Sequence, residues 1–139
     1  MASKKIIFCL FFLVVFLGSC KKEEISAADA QKALLVGPDA KGQKWQLILL
    51  SIDGVRQDLT FAQQKLYKIY SANANFYNSD GYYGIWDLPE ENVLYEFYTF
   101  TNGTYTKNEF KIVSLTEDTL VLKYNYNGQV IVTTYKIII

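Results

Sequence analysis

Histidine is absent from this 139-residue chain, and cysteine occurs only at positions 9 and 20. Without imidazole there is no Ser–His–acid triad, no Cys–His nucleophile and no Cys/His zinc site. Arginine occurs once, as Arg56. Long apolar runs are equally scarce. Ile6 to Leu17 gives 12 apolar residues, against the roughly 20 needed to span a hydrocarbon core. Behind Lys4 and Lys5 that run reads as a signal-peptide h-region, with the signal over residues 1–19. Removing it takes Cys9 away and leaves 120 residues, one domain's worth, with 12 basic and 14 acidic side chains. A balance of −2 with a single arginine argues against nucleic acid, which needs a concentrated basic face. What remains is rich in aromatics: 5 Phe, 11 Tyr and 2 Trp, enough to build a core without disulfides.

The apolar run ends in Leu17-Gly18-Ser19-Cys20, which closely resembles the lipobox of bacterial lipoproteins. The resemblance implies cleavage before Cys20 and acylation of its sulfur and new amino group, with palmitate-type chains. Burial worth about 0.8 kcal/mol per CH₂ makes two or more such chains a stable anchor. Cys20 is then an anchor and not a catalyst. Lys21, Lys22, Glu23 and Glu24 follow, and this lysine–acid order resembles the surface-export signal of Bacteroidetes-type lipoproteins; a solvated, charged tether is the plain alternative. Position 21 is not the aspartate that retains lipoproteins in an inner membrane. The expected location is therefore the outer membrane, lipid-anchored and open to surface exposure.

Residues 20–33 form the tether and the start of a short helix. Ser26 has N-cap chemistry with Asp29 three residues on, four alanines favour helix, and Gly37-Pro38 stops it. The expected helix is Ala27 to Val36. From Lys44 the pattern changes to period two with turn residues between segments. Trp45, Leu47 and Leu49 alternate in the first strand, which ends near Asp53-Gly54. Arg56 to Gln64 suits a loop, a short helix or a lid. Leu66 to Tyr77 reads as one bent strand or two broken near Ser71-Ala72. Tyr82 to Leu88 follows the turn at Asn78-Ser79-Asp80-Gly81, and Pro89-Glu90-Glu91-Asn92 is read as the next turn. Strands at Val93–Phe100, Tyr105–Leu115, Thr119–Tyr126 and Gln129–Ile138 complete the series. Asn127-Gly128 is the strongest hairpin signal, because both central positions of a type I′ turn take positive φ. In the penultimate strand Leu120, Leu122, Tyr124 and Tyr126 share one face.

Seven or eight antiparallel strands joined by short turns make an up-and-down meander, and a flat meander would expose long edges. Closure into a β-barrel over residues 34–139, with the short N-terminal helix outside, is the expected all-β fold. Gly42 and Trp45, the run Asn75 to Tyr83, Gly84-Ile85-Trp86 and Thr119-Leu120-Val121-Leu122 together resemble the lipocalin-like domain of small Bacteroidetes lipoproteins. Gly42-Gln43-Lys44-Trp45 is one residue longer than the Gly-x-Trp opening of true lipocalins. The resemblance carries over no catalytic residue.

An enzyme here would depend on carboxylates. The pairs Glu90-Glu91 and Glu117-Asp118 fall at turns, where solvated acids are the ordinary outcome. No acid spacing matches a calcium loop, so no metal and no cofactor are expected. Asp118-Thr119-Leu120 resembles an O-glycosylation acceptor of the same bacterial group. The tyrosines, with apolar bodies and polar tips, suit either a cavity wall or the cross-strand pairs of a filled barrel. The leading reading is a non-enzymatic lipoprotein binding a small apolar ligand in the barrel mouth, with Trp86, Phe97 and Tyr124 as contacts. Its rival is a solid barrel that meets another envelope protein through segment 56–64.

Overall fold

The computed structural model describes residues 23–100 and 102–138. Helix α1 spans Ala27–Val36. Its start is fixed by Ser26, whose hydroxyl accepts the Asp29 N–H at 3.1 Å and donates to the Asp29 carboxylate at 2.7 Å. Gly37, at φ +79°, ends it and donates its N–H to the Ala33 carbonyl. Two last-turn carbonyls without helical donors take side-chain donors instead: Gln43 Nε2 reaches Leu34 at 2.7 Å, and Trp45 Nε1 reaches Leu35 at 2.8 Å. Leu35 is fully buried and Val36 nearly so. That burial is worth about 1.5–3 kcal/mol per side chain.

Nine strands follow: β1 Lys44–Ile52, β2 Val55–Gln57, β3 Tyr67–Tyr70, β4 Asn75–Asn78, β5 Tyr83–Glu90, β6 Val93–Thr99, β7 Tyr105–Leu115, β8 Thr119–Tyr126 and β9 Gln129–Ile137. All neighbouring pairs are antiparallel. The order β1-β3-β4-β5-β6-β7-β8-β9 closes on itself through β1–β9, giving an eight-stranded up-and-down barrel, with β2 a short flap paired to the end of β1. Closure through β1–β9 pairs the two outermost barrel strands, and at eight strands side chains can fill the interior. Asn127 (φ +48°) and Gly128 (φ +78°) form the hairpin turn expected of them.

Three details differ from the period-two reading. A register shift between Leu47 and Leu49 inverts the phase of β1, so Leu50 and Ile52 lie opposite the buried Thr133 and Ile131 while Leu49 turns away. A bulge near Pro89 lets β5 run on to Glu90, so only Glu91-Asn92 makes the turn. Such an irregularity is where a strand accommodates proline. Segment 56–64 begins in β2 and ends in a 3-10 turn at Gln63–Lys65. Leu59 and Leu66 of this connection pack against the core. The longer stretch 66–77 is two strands, split at 71–74 where Ala74 takes φ +64°.

One end of the barrel is shut. Helix α1 lies across it, tied to the β5–β6 turn by two Gln31–Asn92 hydrogen bonds of 2.8 Å and to β5 by Lys32–Asp87 at 3.7 Å. Trp45, Leu88, Leu94, Leu120 and Leu122 fill the interior. Gly84 is required by close approach: a Cβ there would lie 1.9 Å from the Phe97 carbonyl oxygen. Opposite its vacant side-chain position stand Phe76 and Tyr98, whose rings meet edge-on at 5.2 Å.

Candidate functional site

Above this apolar layer the inward phase of β3 and β6 delivers ionisable groups. Glu96 is fully buried. Its carboxylate accepts Lys68 Nζ at 2.8 and 3.0 Å, the Tyr70 hydroxyl at 2.5 Å and the Tyr98 hydroxyl at 2.6 Å. Charge-assisted bonds of this kind offset the several kcal/mol that each buried ion costs. The Lys68 ammonium also stands over the Phe110 ring at 4.4 Å. Burial alone would lower the Lys68 pKa, but the adjacent Glu96 carboxylate outweighs it and holds the ammonium above the usual lysine range. Burial, reinforced by Glu96, pushes the Tyr70 and Tyr98 phenols well above theirs. The cluster thus holds a protonated Lys68 and two neutral phenols across neutral pH.

Lys68 and Tyr98 form part of the lining of a cavity of about 880 Å³ at the end opposite α1. Phe110, Tyr124 and Tyr135 supply aromatic walls; Asn78, Asn108 and Asp80 supply polar ones. Phe110 and Tyr124 meet edge-on at 5.2 Å. Burial raises the Tyr124 pKa as well, so it too presents a neutral hydroxyl. Along β8 the face that is buried at Leu120 and Leu122 becomes half-buried at Tyr124 and exposed at Tyr126, as the strand rises out of the core into the cup.

The chain matches no protein-family model and no curated protein. Among solved structures it is similar to a lipocalin-like protein from Bacteroides uniformis, with a TM-score of 0.50 and 17% identity over 69% of this chain and 96% of that one. The fold is lipocalin-like. An uncharacterized protein from Bacteroides eggerthii is also similar, with a TM-score of 0.48 and 17% identity over 70% of this chain and 99% of that one.

The wall of this lipocalin-like barrel is incomplete at the cup. β7 and β8 pair only between Lys111↔Lys123 and Leu115↔Leu120. Beyond Lys111↔Lys123 the two strands continue to Tyr105 and Tyr126 without a ladder. Consecutive residues of both strands, Lys107 to Lys111 and Lys123 to Tyr126, line the cavity. Inward and outward residues can both do so only if the cavity passes between the strand edges. The cup therefore has a side slot as well as a mouth.

The three residues named as ligand contacts are not brought together. Tyr124 lines the cup. Trp86 is buried beside α1, donates Nε1 to the Ser71 carbonyl at 3.0 Å, and borders a separate cavity of about 370 Å³ with Lys32, Ala33 and Val36. Phe97 sits on the outer face, opposite the exposed Ile85, with Tyr95 and Tyr105 as ring neighbours at 6.1 and 6.4 Å. Alternation alone cannot place inside and outside until one residue of the strand is fixed, and in β6 that residue is Glu96. Cys20, Lys21 and Lys22 lie outside the described residues; Glu23 and Glu24 are exposed ahead of α1. The carboxylate pairs Glu90-Glu91 and Glu117-Asp118 are exposed at the α1 end, away from the cup. Hydrogen bonds from Thr119 and Thr116 hold the Asp118 carboxyl below its usual range. The Lys68–Glu96 pair was not anticipated. Its one sequence signal is a charge on the inward phase of Leu94-x-Glu96-x-Tyr98.

Proposed function

We propose that this chain is a lipid-anchored envelope lipoprotein whose lipocalin-like barrel binds a small amphipathic molecule in its cup. The cup carries the reading: about 880 Å³ falls within the roughly 300–1,000 Å³ typical of ligand sites. Aromatic walls suit an apolar body, and the hydroxyls and amides at the rim suit a polar head. The rival solid barrel keeps one observation, the exposed Phe61 on segment 56–64 with Lys65 Nζ over its ring at 4.1 Å. Binding is favoured over catalysis because the buried carboxylate at the cup's base is saturated by three donors.

Anchoring is proposed through acyl chains on Cys20, and Lys21 to Glu24 serve as a tether for display on the outer membrane. From Cys20 to Ala27 an extended chain reaches about 25 Å, which holds the barrel near the bilayer. Replacing Cys20 with serine should release the protein from membranes; unchanged membrane association would refute the anchor.

Both tryptophans lie toward α1, so indole fluorescence is a poor reporter of the cup. A neutral apolar dye, N-phenyl-1-naphthylamine, is the suitable probe. Saturable one-to-one binding is expected, and it should weaken in Asn108→Trp, which sets an indole into the cup. Unchanged affinity in this variant places the ligand elsewhere and overturns the reading.

A further inference from the structure

The side slot has features that a small ligand in the cup does not use. Ile112 donates its N–H to Asn92 at 2.8 Å, which turns the even-numbered residues of lower β7 toward β6. By alternation, Lys107 and Glu109 present backbone N–H and C=O groups to the slot. Across it, the same phase that pairs Lys123 with Lys111 exposes the backbone of Asn125. Two strand edges thus face each other without a ladder.

The slot is blind. It ends where Lys111 and Lys123 stand directly opposite each other, both exposed, and like charges in that position repel. Among the described residues neither is within ion-pair distance of a carboxylate. The nearest acid along the strand, Glu109, is paired with Lys107 at 3.9 Å. A strand entering the slot stops where the β7–β8 ladder begins, beside two ammonium groups that have no acid within ion-pair distance among the described residues.

We propose that the slot captures the C-terminal tail of a partner polypeptide by strand addition. The tail enters from the mouth, runs antiparallel to β8 and parallel to β7, and sets its terminal carboxylate between Lys111 and Lys123. The unpaired stretch of β7 from Lys107 to Phe110 sets the length of the added strand at about four residues, at roughly 3.3 Å per residue. Alternate side chains point inward onto Phe110 and Tyr124, so apolar or aromatic residues are selected there. The inference rests on the strand edges and the lysine pair, and holds whether or not the cup also takes a small molecule.

The test uses the full chain and the N-acetylated peptide Thr-Phe-Thr-Phe, as free acid and as C-terminal amide. Amide exchange by NMR should show Glu109 and Asn125 unprotected in the free protein and slowed when the free acid is bound. Because a hydrogen bond to a charged group is worth about 1.5–3 kcal/mol, the amide form should bind about tenfold or more weakly. In Lys111→Gln/Lys123→Gln that preference should vanish, while thermal unfolding is no lower than in the parent because a like-charge pair has been removed. Equal binding of the two peptide forms to the parent, no binding of the acid, or protection of Glu109 and Asn125 before peptide is added would each overturn the proposal.

Discussion

At the α1 end the barrel is apolar and shut, whereas at the far end it is aromatic, ionic and open, and the same strands build both. β8 passes from Leu120 and Leu122 to Tyr124 and Tyr126 on one face, and β6 from Leu94 through Glu96 to Tyr98. β7 passes from Ile112 through Phe110 to Asn108. One inward phase thus carries folding energy at one end and chemistry at the other. The contrast implies that stability and recognition are separable along the barrel axis, with the Lys68–Glu96 pair as the boundary between them.

Breaking that boundary should have the largest effect. Glu96→Leu leaves the Lys68 ammonium without its counter-charge and removes the acceptor of two phenols, a loss of about 3–5 kcal/mol in denaturant unfolding. Lys68→Met together with Glu96→Leu should recover most of that loss, since a well-packed apolar pair avoids both desolvation costs. A cost below about 1 kcal/mol for the single substitution would show that the pair is not buried as described.

A change within the shut half sharpens the contrast from the other side. Leu120→Ala removes a fully buried side chain from the layer beneath the cup and should cost about 2–5 kcal/mol. Dye binding in the cup should persist wherever the variant remains folded. If its affinity falls in step with stability, the two halves are one cooperative site and the separation fails.

Alkaline pH tests the boundary without mutation. Folding raises the pKa of Lys68, Tyr70 and Tyr98 above their unfolded values near 10. The native state therefore holds these protons more tightly than the unfolded chain. Their contribution is complete below about pH 10 and is lost as pH rises toward the folded values. For the fully buried Tyr70, stability should drop by up to about 1.4 kcal/mol per pH unit within that window. In the Lys68→Met/Glu96→Leu background the alkaline slope should be shallower, because the carboxylate that reinforces the tyrosine shift is gone.

Much of this architecture was legible because turns and alternation are local. Asn127-Gly128 announces a hairpin by residue type, and Ser26 with Gly37-Pro38 brackets α1. The inverted phase of β1 was not legible. Leu47-Ile48-Leu49-Leu50 is apolar on every phase, so only pairing with β9 shows which side chains turn in. A cup in the barrel mouth with Tyr124 in its wall was legible, but most of its lining was not, for a different reason. It arises where a ladder stops, between Lys111↔Lys123 and the strand ends, and nothing in Tyr105–Phe110 or Tyr124–Tyr126 marks those segments as unpaired. A binding residue such as Tyr124 reads like Tyr95 or Phe97 until the barrel assigns each to a side.

The smallest effect concerns a single hydroxyl on the closed wall. Thr133 is 4% exposed, and its Oγ1 is the one buried side-chain polar atom without a hydrogen-bond partner among the described residues. Its cross-strand neighbours Leu50 and Leu122 are aliphatic and offer it none. An unpaired buried hydroxyl costs about 1–3 kcal/mol, whereas valine has the same branched shape and strand preference. Thr133→Val should therefore stabilise the protein by about 1 kcal/mol in denaturant unfolding and leave dye binding unchanged. Destabilisation would mean that the hydroxyl is paired in solution. The closed wall would then hold a polar contact at the level of Leu122, on the mouth side of Tyr135, which already lines the cup.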